Sequence, residues 1–333
     1  MPIKDFSRPD RAARFVCAVI LATFAQFATA QSADNYPSRP VKLLVPYAPG
    51  GATDIVARFL AAKLTDTLGQ AFIVENRPGA SGNIAVEATV KAAPDGYTLL
   101  VGNVTTNAIN ETTIGTVKPS RDLIGISALA EIPHVIAAST AFPASTLAEA
   151  IDYAKKNPGK VNYGSAGIGS YPHLDMLKLA KAAGIEMTHV PYKNGAAGII
   201  PSLMANETQL SFINLSSAGE QIRAGKMKAL ATTAPARLAE LPNVPTMAEL
   251  GYAGIGTNAW QAIFAPAATP KPIVEKLFAA VVKVMSAPEM KETLGKQLMA
   301  VTLSKSPQEW TETVRMETQK WADFVNTNKI KLD

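Results

Sequence analysis

The chain has 333 residues, 47% of them apolar and 18% charged, with a formal net charge of +5 and one cysteine. That length exceeds what one compact core usually organises, and the composition excludes a disordered chain, so two domains are expected. A single cysteine, Cys17, excludes a disulfide framework and a cysteine metal site.

At the N-terminus, Arg11 and Arg14 precede the apolar run FVCAVILATFAQFATA, which closes on Ala28-Thr29-Ala30. A basic start, an apolar stretch and a small-x-small end describe a signal peptide, residues 1–30, cleaved after Ala30. Thr23 and Gln26 interrupt the run, which falls short of the roughly 20 apolar residues that span a bilayer. Cleavage would remove Lys4, Arg8, Arg11 and Arg14 with Asp5 and Asp10, lowering the net charge from +5 to +3. It would also remove Cys17, and with it any thiolate nucleophile. Export to the periplasm is expected, and the basic balance no longer argues for nucleic acid.

From Arg39 onward the pattern is strand, Gly/Pro bend, helix, repeated. VKLLVPY reads as a buried strand, and DIVARFLAAKL as a helix with Ile55, Val56, Phe59, Leu60 and Leu64 on one stripe. AFIVEN, the helix GNIAVEATVKAA and the strand YTLLVGN follow. Such βα steps with continuous Val/Ile/Leu strands favour a mostly parallel sheet covered on both faces. HVIAAS restarts the alternation, followed by the helix TLAEAIDYAKKN, where Thr146 and Glu149 stand at capping-box spacing. KVNYGS, the helix YPHLDMLKLAKAAG and the strands THVPY, QLSFINL and MKALATT complete a second α/β unit. WQAIFAP and ATPKPIVEKLFAAVVKVM return to the first, with Thr269 as N-cap and Pro270 at the first helical position. The last helix, SPQEWTETVRMETQKWADFV, opens at Ser306 and carries Trp310, Val314, Trp321 and Phe324 on one packing stripe. Residues 36–127 with 255–333 are thus expected to form one domain, and 128–254 an inserted second.

Two bends carry chemistry. In PYAPGGATD, Gly50 and Gly51 remove Cβ atoms just before a helix whose first N–H groups lack intrahelical partners. With the positive end of the helix dipole there, the bend offers an uncharged receptor for a carboxylate or phosphate. Asp54 would repel such a ligand, so it either caps nearby N–H groups or holds a water that donates to the ligand. GSAGIGSYPH repeats the arrangement, with Ser165, Ala166, Gly167, Gly169 and Ser170 between a strand and a helix. Two such bends in different domains can face each other across a cleft, where parallel sheets bind ligands.

No lysine follows the first glycines as a P-loop requires, and neither bend completes G-x-G-x-x-G. Nucleotide cofactors are therefore not expected. Ser165 or Ser170 with His173 and Asp175 has the residue types of an acyl-transfer triad, but no G-x-S-x-G, and His173 and Asp175 diverge on a helix. His134, His173 and His189 are scattered, without H-E-x-x-H, so no metal is expected. His173, in the first turn of the second bend's helix, is the histidine placed to reach a ligand. An exported enzyme acting on a small carboxylate remains the alternative, but it lacks a convincing set of catalytic groups.

Taken together, PYAPGGATDIVARFLAAKL, VENRPGASGN, VNYGSAGIGSYPH, THVPYKNG, LPNVPTMAELG and WQAIFAPAATPKPIVEKL resemble the Bug family, the TctC-type receptors of tripartite tricarboxylate transporters, from about Tyr36 to the C-terminus. The resemblance implies a two-domain Venus-flytrap fold with an interdomain cleft. It implies a periplasmic solute receptor, not an enzyme, that binds a small organic acid anion and delivers it to a permease of one large and one small membrane subunit. No cofactor is implied, and the receptor is expected to act as a monomer. The family's carboxylate grip maps onto Tyr47, Ala48, Gly50, Gly51 and Asp54, and its opposing wall onto Ser165, Ala166, Gly169 and Ser170. Thr105 and Thr106 match a family stretch rich in small hydroxylated residues. Its YKGG motif appears as Tyr192-Lys193-Asn194-Gly195. Asn214 stands where many members carry an acidic residue, which argues against an amino-acid ligand and for a mono-, di- or tricarboxylate, aliphatic or aromatic.

Overall fold

Val41, Leu43, Leu44 and Val45 are all buried, as a strand covered on both faces requires. They open the first of two sheets in the computed structural model, which describes residues 35–257, 259–328 and 330. The expected export signal and Cys17 lie outside the described residues. The strands are β1 (Val41–Val45), β2 (Phe72–Asn76), β3 (Thr98–Asn103), β4 (Leu123–Ile132), β5 (His134–Ser139), β6 (Asn162–Ser165), β7 (Thr188–Pro191), β8 (Leu210–Asn214), β9 (Met227–Thr232), β10 (Ala259–Pro266) and β11 (Ala300–Val301). The longer helices are α1 (Ala52–Leu68), α2 (Asn83–Val90), α3 (Leu147–Lys156), α4 (Tyr171–Ala183), α5 (Ala196–Met204), α6 (Leu215–Arg223), α7 (Lys271–Met285), α8 (Pro288–Lys296) and α9 (Pro307–Thr327).

One sheet has the order β11-β4-β10-β3-β1-β2 and the other β7-β6-β8-β5-β9. β1 is parallel to β2 and β3, whereas β10 runs antiparallel between β3 and β4. In the second sheet β6 is parallel to β7 and β8, and β5 is antiparallel to β8 and β9. The first sheet is mixed because β10 enters its middle after the second sheet, and the second because β5, arriving from β4, runs against both of its neighbours. The chain passes from β4 to β5 at Pro133, which has no N–H to extend a ladder and whose carbonyl accepts from Leu215 N at 2.9 Å.

β4 is absent from the sequence reading. Its stretch LIGISALAEI mixes Gly, Ser and Ala, poor strand formers, among its aliphatic residues. It belongs whole to the first sheet, so the change of sheet falls at 132–134 and not near 127. The small side chains have a reason: a Cβ on Gly125 would lie 2.6 Å from Trp310 Cδ1, so this glycine lets α9 seat against the strand. Trp310 meets Trp260 edge-on at 5.1 Å in the same core. α5, α6 and α8 also went unread.

The caps follow the residues. Thr146 Oγ1 accepts from Glu149 N at 3.2 Å while Glu149 reaches back to Thr146 N, completing the box on α3. Ser306 Oγ accepts from Glu309 N at 3.1 Å to start α9. At α7 the start is one residue later than expected, with Pro270 extended at the cap and Lys271 first in the helix. Thr269 instead turns back, its N–H bonded to Pro266 O.

Gly125→Ala is expected to lower the free energy of urea unfolding by about 1–3 kcal/mol through overpacking. Gly295→Ala in α8, where a Cβ meets nothing within 4 Å, should be neutral or stabilising by up to about 1 kcal/mol. Equal effects at the two sites would contradict the packing assigned to β4 and α9.

Candidate functional site between the two sheets

The first bend is held from behind. Gly50 N–H donates to Asp54 Oδ2 at 2.9 Å, Arg58 Nε donates to the same oxygen at 2.9 Å, and Asn76 Nδ2 donates to Asp54 Oδ1 at 2.9 Å. Asn76 also donates to Tyr47 O at 2.9 Å, tying the two ends of the bend together. Burial alone would push the Asp54 carboxyl up, but the hydrogen bonds from Arg58, Gly50 and Asn76 outweigh it and hold the pKa below the usual range. Asp54 is 3% exposed and is not among the residues that line the cavity in front of the bend. Of the two roles open to it, capping the bend is the one its contacts describe.

The two glycines differ. Gly50 has φ +88, a conformation that favours glycine. Gly51 is extended at φ −81, and a Cβ there would meet only Ala48 O, at 3.9 Å. Its missing side chain therefore keeps space open.

That space is a cavity of about 50 Å³. Tyr47, Ala48 and Gly51 to Thr53 line it from the first bend, and Asn103 lines it from the end of β3. The Tyr47 hydroxyl donates to Asn103 Oδ1 at 3.4 Å, and burial pushes its pKa up to about 12. From the second sheet come Ala166 and Tyr171 at the start of α4, Asn194 to Ala196 at the start of α5, and Asn214 and Ser217 at the start of α6. The start of α1 closes the ring. These helices begin at Gly51, Ser170, Gly195 and Asn214, and none of the four cap residues makes a side-chain capping bond. No Lys, Arg, His, Asp or Glu lines the cavity. Helix N-terminal N–H groups and dipoles thus supply the positive potential.

Other residues anticipated from the sequence sit elsewhere. Thr105 Oγ1 accepts from Tyr171 N at 3.1 Å, joining the two halves of the molecule. Thr106 Oγ1 accepts from Asn103 N at 3.0 Å and donates to Asn107 Oδ1 at 2.7 Å. Both are fully buried behind the cavity wall. Ser170 Oγ donates to Gly167 O at 2.7 Å, and His173 Nδ1 accepts from Gly169 N at 3.1 Å, so both shape their own loop. Tyr192 packs against Gly164 and Gly198. Asn103, Tyr171 and Ser217 were not singled out, Thr53 entered only within the stretch from Tyr47 to Asp54, and Asn194 and Gly195 only within the family motif. The Ser-Ser pair at a helix start was the available signal for Ser217.

Among the described residues, Ser165 and His189 make the one contact that resembles a nucleophile and its base, at 2.6 Å. Ser165 Oγ spends its proton on Gly167 O at 3.0 Å. His189 Nε2 therefore donates to the serine and cannot accept from it. Ser165 is also fully buried. Among the described residues no group of three or more His, Cys, Asp or Glu is placed to hold a metal. A larger cavity of about 390 Å³ lies beneath Trp260, Trp310 and Trp321, but no helix start opens onto it. The two halves also meet where Ser81 Oγ donates to Ile168 O at 3.0 Å.

Burial lowers all three histidines from the usual 6.5: His134 to about 4, His189 to about 4, and His173, with His189 adjacent, to about 3. Between 6.5 and about 4 the unfolded chain therefore binds more protons, and stability falls as pH is lowered through that window. Asp175, raised by burial against Lys178 and Thr257, acts in the opposite sense. The histidine share is thus best read as a difference between proteins. His189→Gln should flatten the fall in unfolding free energy between about pH 7 and 5 by on the order of 1 kcal/mol. An unchanged slope would remove His189 from the acid sensitivity.

A family model described as the tripartite tricarboxylate transporter family receptor matches residues 56–330. A UPF0065 protein of Bordetella pertussis is 39% identical over 283 residues, 82% of this chain and 85% of its own length. MatC of Rhodopseudomonas palustris, solved with bound malate, is 32% identical with a TM-score of 0.82, covering 87% of this chain and 100% of that one. Another R. palustris protein, solved with adipate, is 32% identical with a TM-score of 0.83, covering 88% and 98%. The two mixed sheets flanked by helices are those of a bilobed periplasmic binding protein. The chain belongs to the receptor family of the tripartite tricarboxylate transporters.

Proposed function

We propose that this protein captures a small organic carboxylate in the cleft between its two sheets and presents it to a membrane permease. The observation that carries the reading is a cavity walled by the starts of four helices and by no charged side chain. Such a site suits an anion whose charge is met by N–H groups. Malate and adipate in the two R. palustris structures are ligands of the same class. Family membership places the protein in the periplasm with a cognate permease. We infer further that a monomeric receptor, exported by cleavage after Ala30, meets a permease of one large and one small subunit. Its lobes would be residues 36–132 with 259–333 and residues 134–257, whose Met247, Tyr252 and Ile255 pack on the second sheet's core, joined at Pro133 and after Thr257, and would close over the ligand as a hinge. No helix among the described residues is long and apolar enough to cross a membrane. N-terminal sequencing of protein from periplasm is expected to begin at Gln31, and retained Met1 would refute the cleavage.

Gly51→Val tests the grip without disturbing the fold, because position 51 has an ordinary extended backbone and room for a Cβ. Loss of one or two donors to a charged acceptor should weaken binding of a carboxylate by about tenfold to several hundredfold. Calorimetry on ligand-stripped protein, screened against aliphatic and aromatic acids, measures it. Undiminished affinity would show that the first bend is not the anion receptor. Asp54→Asn should also weaken binding, although it removes a negative charge, because an amide cannot accept at both ends from Gly50 and Asn76. Tighter binding in that variant would mean that Asp54 acts by repulsion.

A further inference from the structure

A carboxylate grip leaves open what the remainder of the ligand must offer, and proton accounting beside the cavity answers this, resting on the receptor reading above. His134 and Asn214 are directly opposed cross-strand partners on β5 and β8. The hydroxyl of Tyr171, in the first turn of α4, reaches both: it lies 2.7 Å from His134 Nε2 and 3.1 Å from the end of the Asn214 amide assigned as Oδ1, an assignment that the proton count reverses. His134 is fully buried, and its Nδ1 abuts the carbonyl oxygen of Thr257. A carbonyl only accepts, so the proton of the neutral ring must sit on Nδ1, since two facing lone pairs would repel. Burial keeps the ring neutral, its pKa driven to about 4 against the raising contacts of Thr257 and Asn214.

With its proton at Nδ1, His134 has a bare Nε2, which accepts from Tyr171. A phenol has one proton to give, and burial raises Tyr171 far from ionisation. The Asn214 amide must then donate to the Tyr171 oxygen, which requires Nδ2 to face the tyrosine. The two ends of an amide have the same shape, and only the hydrogen-bond network orders them. Oδ1 is left at the other end. Asn214 occupies the cap of α6, whose first N–H, that of Leu215, is already given to Pro133 O at 2.9 Å. Asn214 lines the cavity.

We propose that the relay Thr257–His134–Tyr171–Asn214 fixes Asn214 as a hydrogen-bond acceptor toward the cleft, selecting hydroxycarboxylic acids over unsubstituted acids of the same length. Asn214 is the specificity-determining residue, and Tyr171 and His134 are positioning residues. No acidic side chain lines the cavity to favour an ammonium group, so the donor it suits is a hydroxyl. A site whose polar group is left unpaired by the unsubstituted analogue discriminates strongly against it.

The test uses the ligand-stripped mature protein and two matched pairs, either enantiomer of malate against succinate and 3-hydroxybutyrate against butyrate. At least one hydroxy acid should bind about tenfold or more tightly than its partner. Tyr171→Phe frees the amide to turn, and Asn214→Leu removes it; in each the ratio should fall to within about threefold. In wild-type protein, nitrogen NMR of His134 at neutral pH should give the Nδ1–H tautomer, a readout that does not depend on any ligand. Ratios near one in both pairs, a preference that survives both substitutions, or an Nε2–H or doubly protonated ring overturns the proposal. If plain acids bind as well as hydroxy acids, this inference alone fails; if no acid binds, the carboxylate-receptor reading fails with it.

Discussion

The first N–H groups of a helix need acceptors that the helix cannot provide. Where α3 and α9 start, Thr146 and Ser306 provide one from their own side chains. Around the cavity the chain withholds it: Gly51 and Gly195 have no side chain to offer, Ser170 turns its hydroxyl to Gly167, and Asn214 turns its amide to Tyr171. Tyr171 N–H is given to Thr105 and Leu215 N–H to Pro133 O, and the other first-turn donors of these four helices are left around one small space lined from both sheets. The parallel strands set this up, because β1, β3, β6 and β8 all deliver their carboxyl ends to that side. Everything polar behind the wall serves to keep those starts in place, from the Asp54 carboxylate under the first bend to Thr105 under the second.

The bend at PYAPGGATD was legible because its requirements are local. A strand, glycines and an amphipathic helix follow one another within 20 or so residues, and their chemistry follows from backbone geometry. The second bend was legible for the same reason, but which of its side chains faces outward was not. Ser165 and Ser170 look like ligand hydroxyls in the sequence, and the contacts that consume them, Gly167 O and His189, depend on the loop's closed shape and on the neighbouring strand β7. Thr105 is taken by the backbone of Tyr171, 66 positions away. Contacts of that range leave no periodic trace. Likewise β4, rich in glycine, serine and alanine, makes sense only once Trp310 is laid across Gly125.

The route of the chain ties the cleft to the two crossings between the sheets. β4 ends at Ile132 and β5 begins at His134, so the residue whose ring starts the proton relay stands one position beyond the crossing. Its Nδ1 contacts Thr257, on the second crossing segment. Asp175 of α4 accepts from Thr257 N at 2.8 Å. Both connections between the sheets are thus tied by hydrogen bonds to the helix whose first turn faces the cavity.

A grip built from main chain also shapes how such a protein can change over generations. Backbone N–H groups are common to nearly every residue, so most substitutions leave them in place, and only filling the space before them, as at Gly51, or losing the turn, as at Gly50, removes them. Asn194, Asn214 and Ser217 line the same space without being part of the proposed main-chain grip. Inheritance can therefore alter what the cleft accepts through these positions while its hold on negative charge persists, and one scaffold can be passed among many acids with few steps between them.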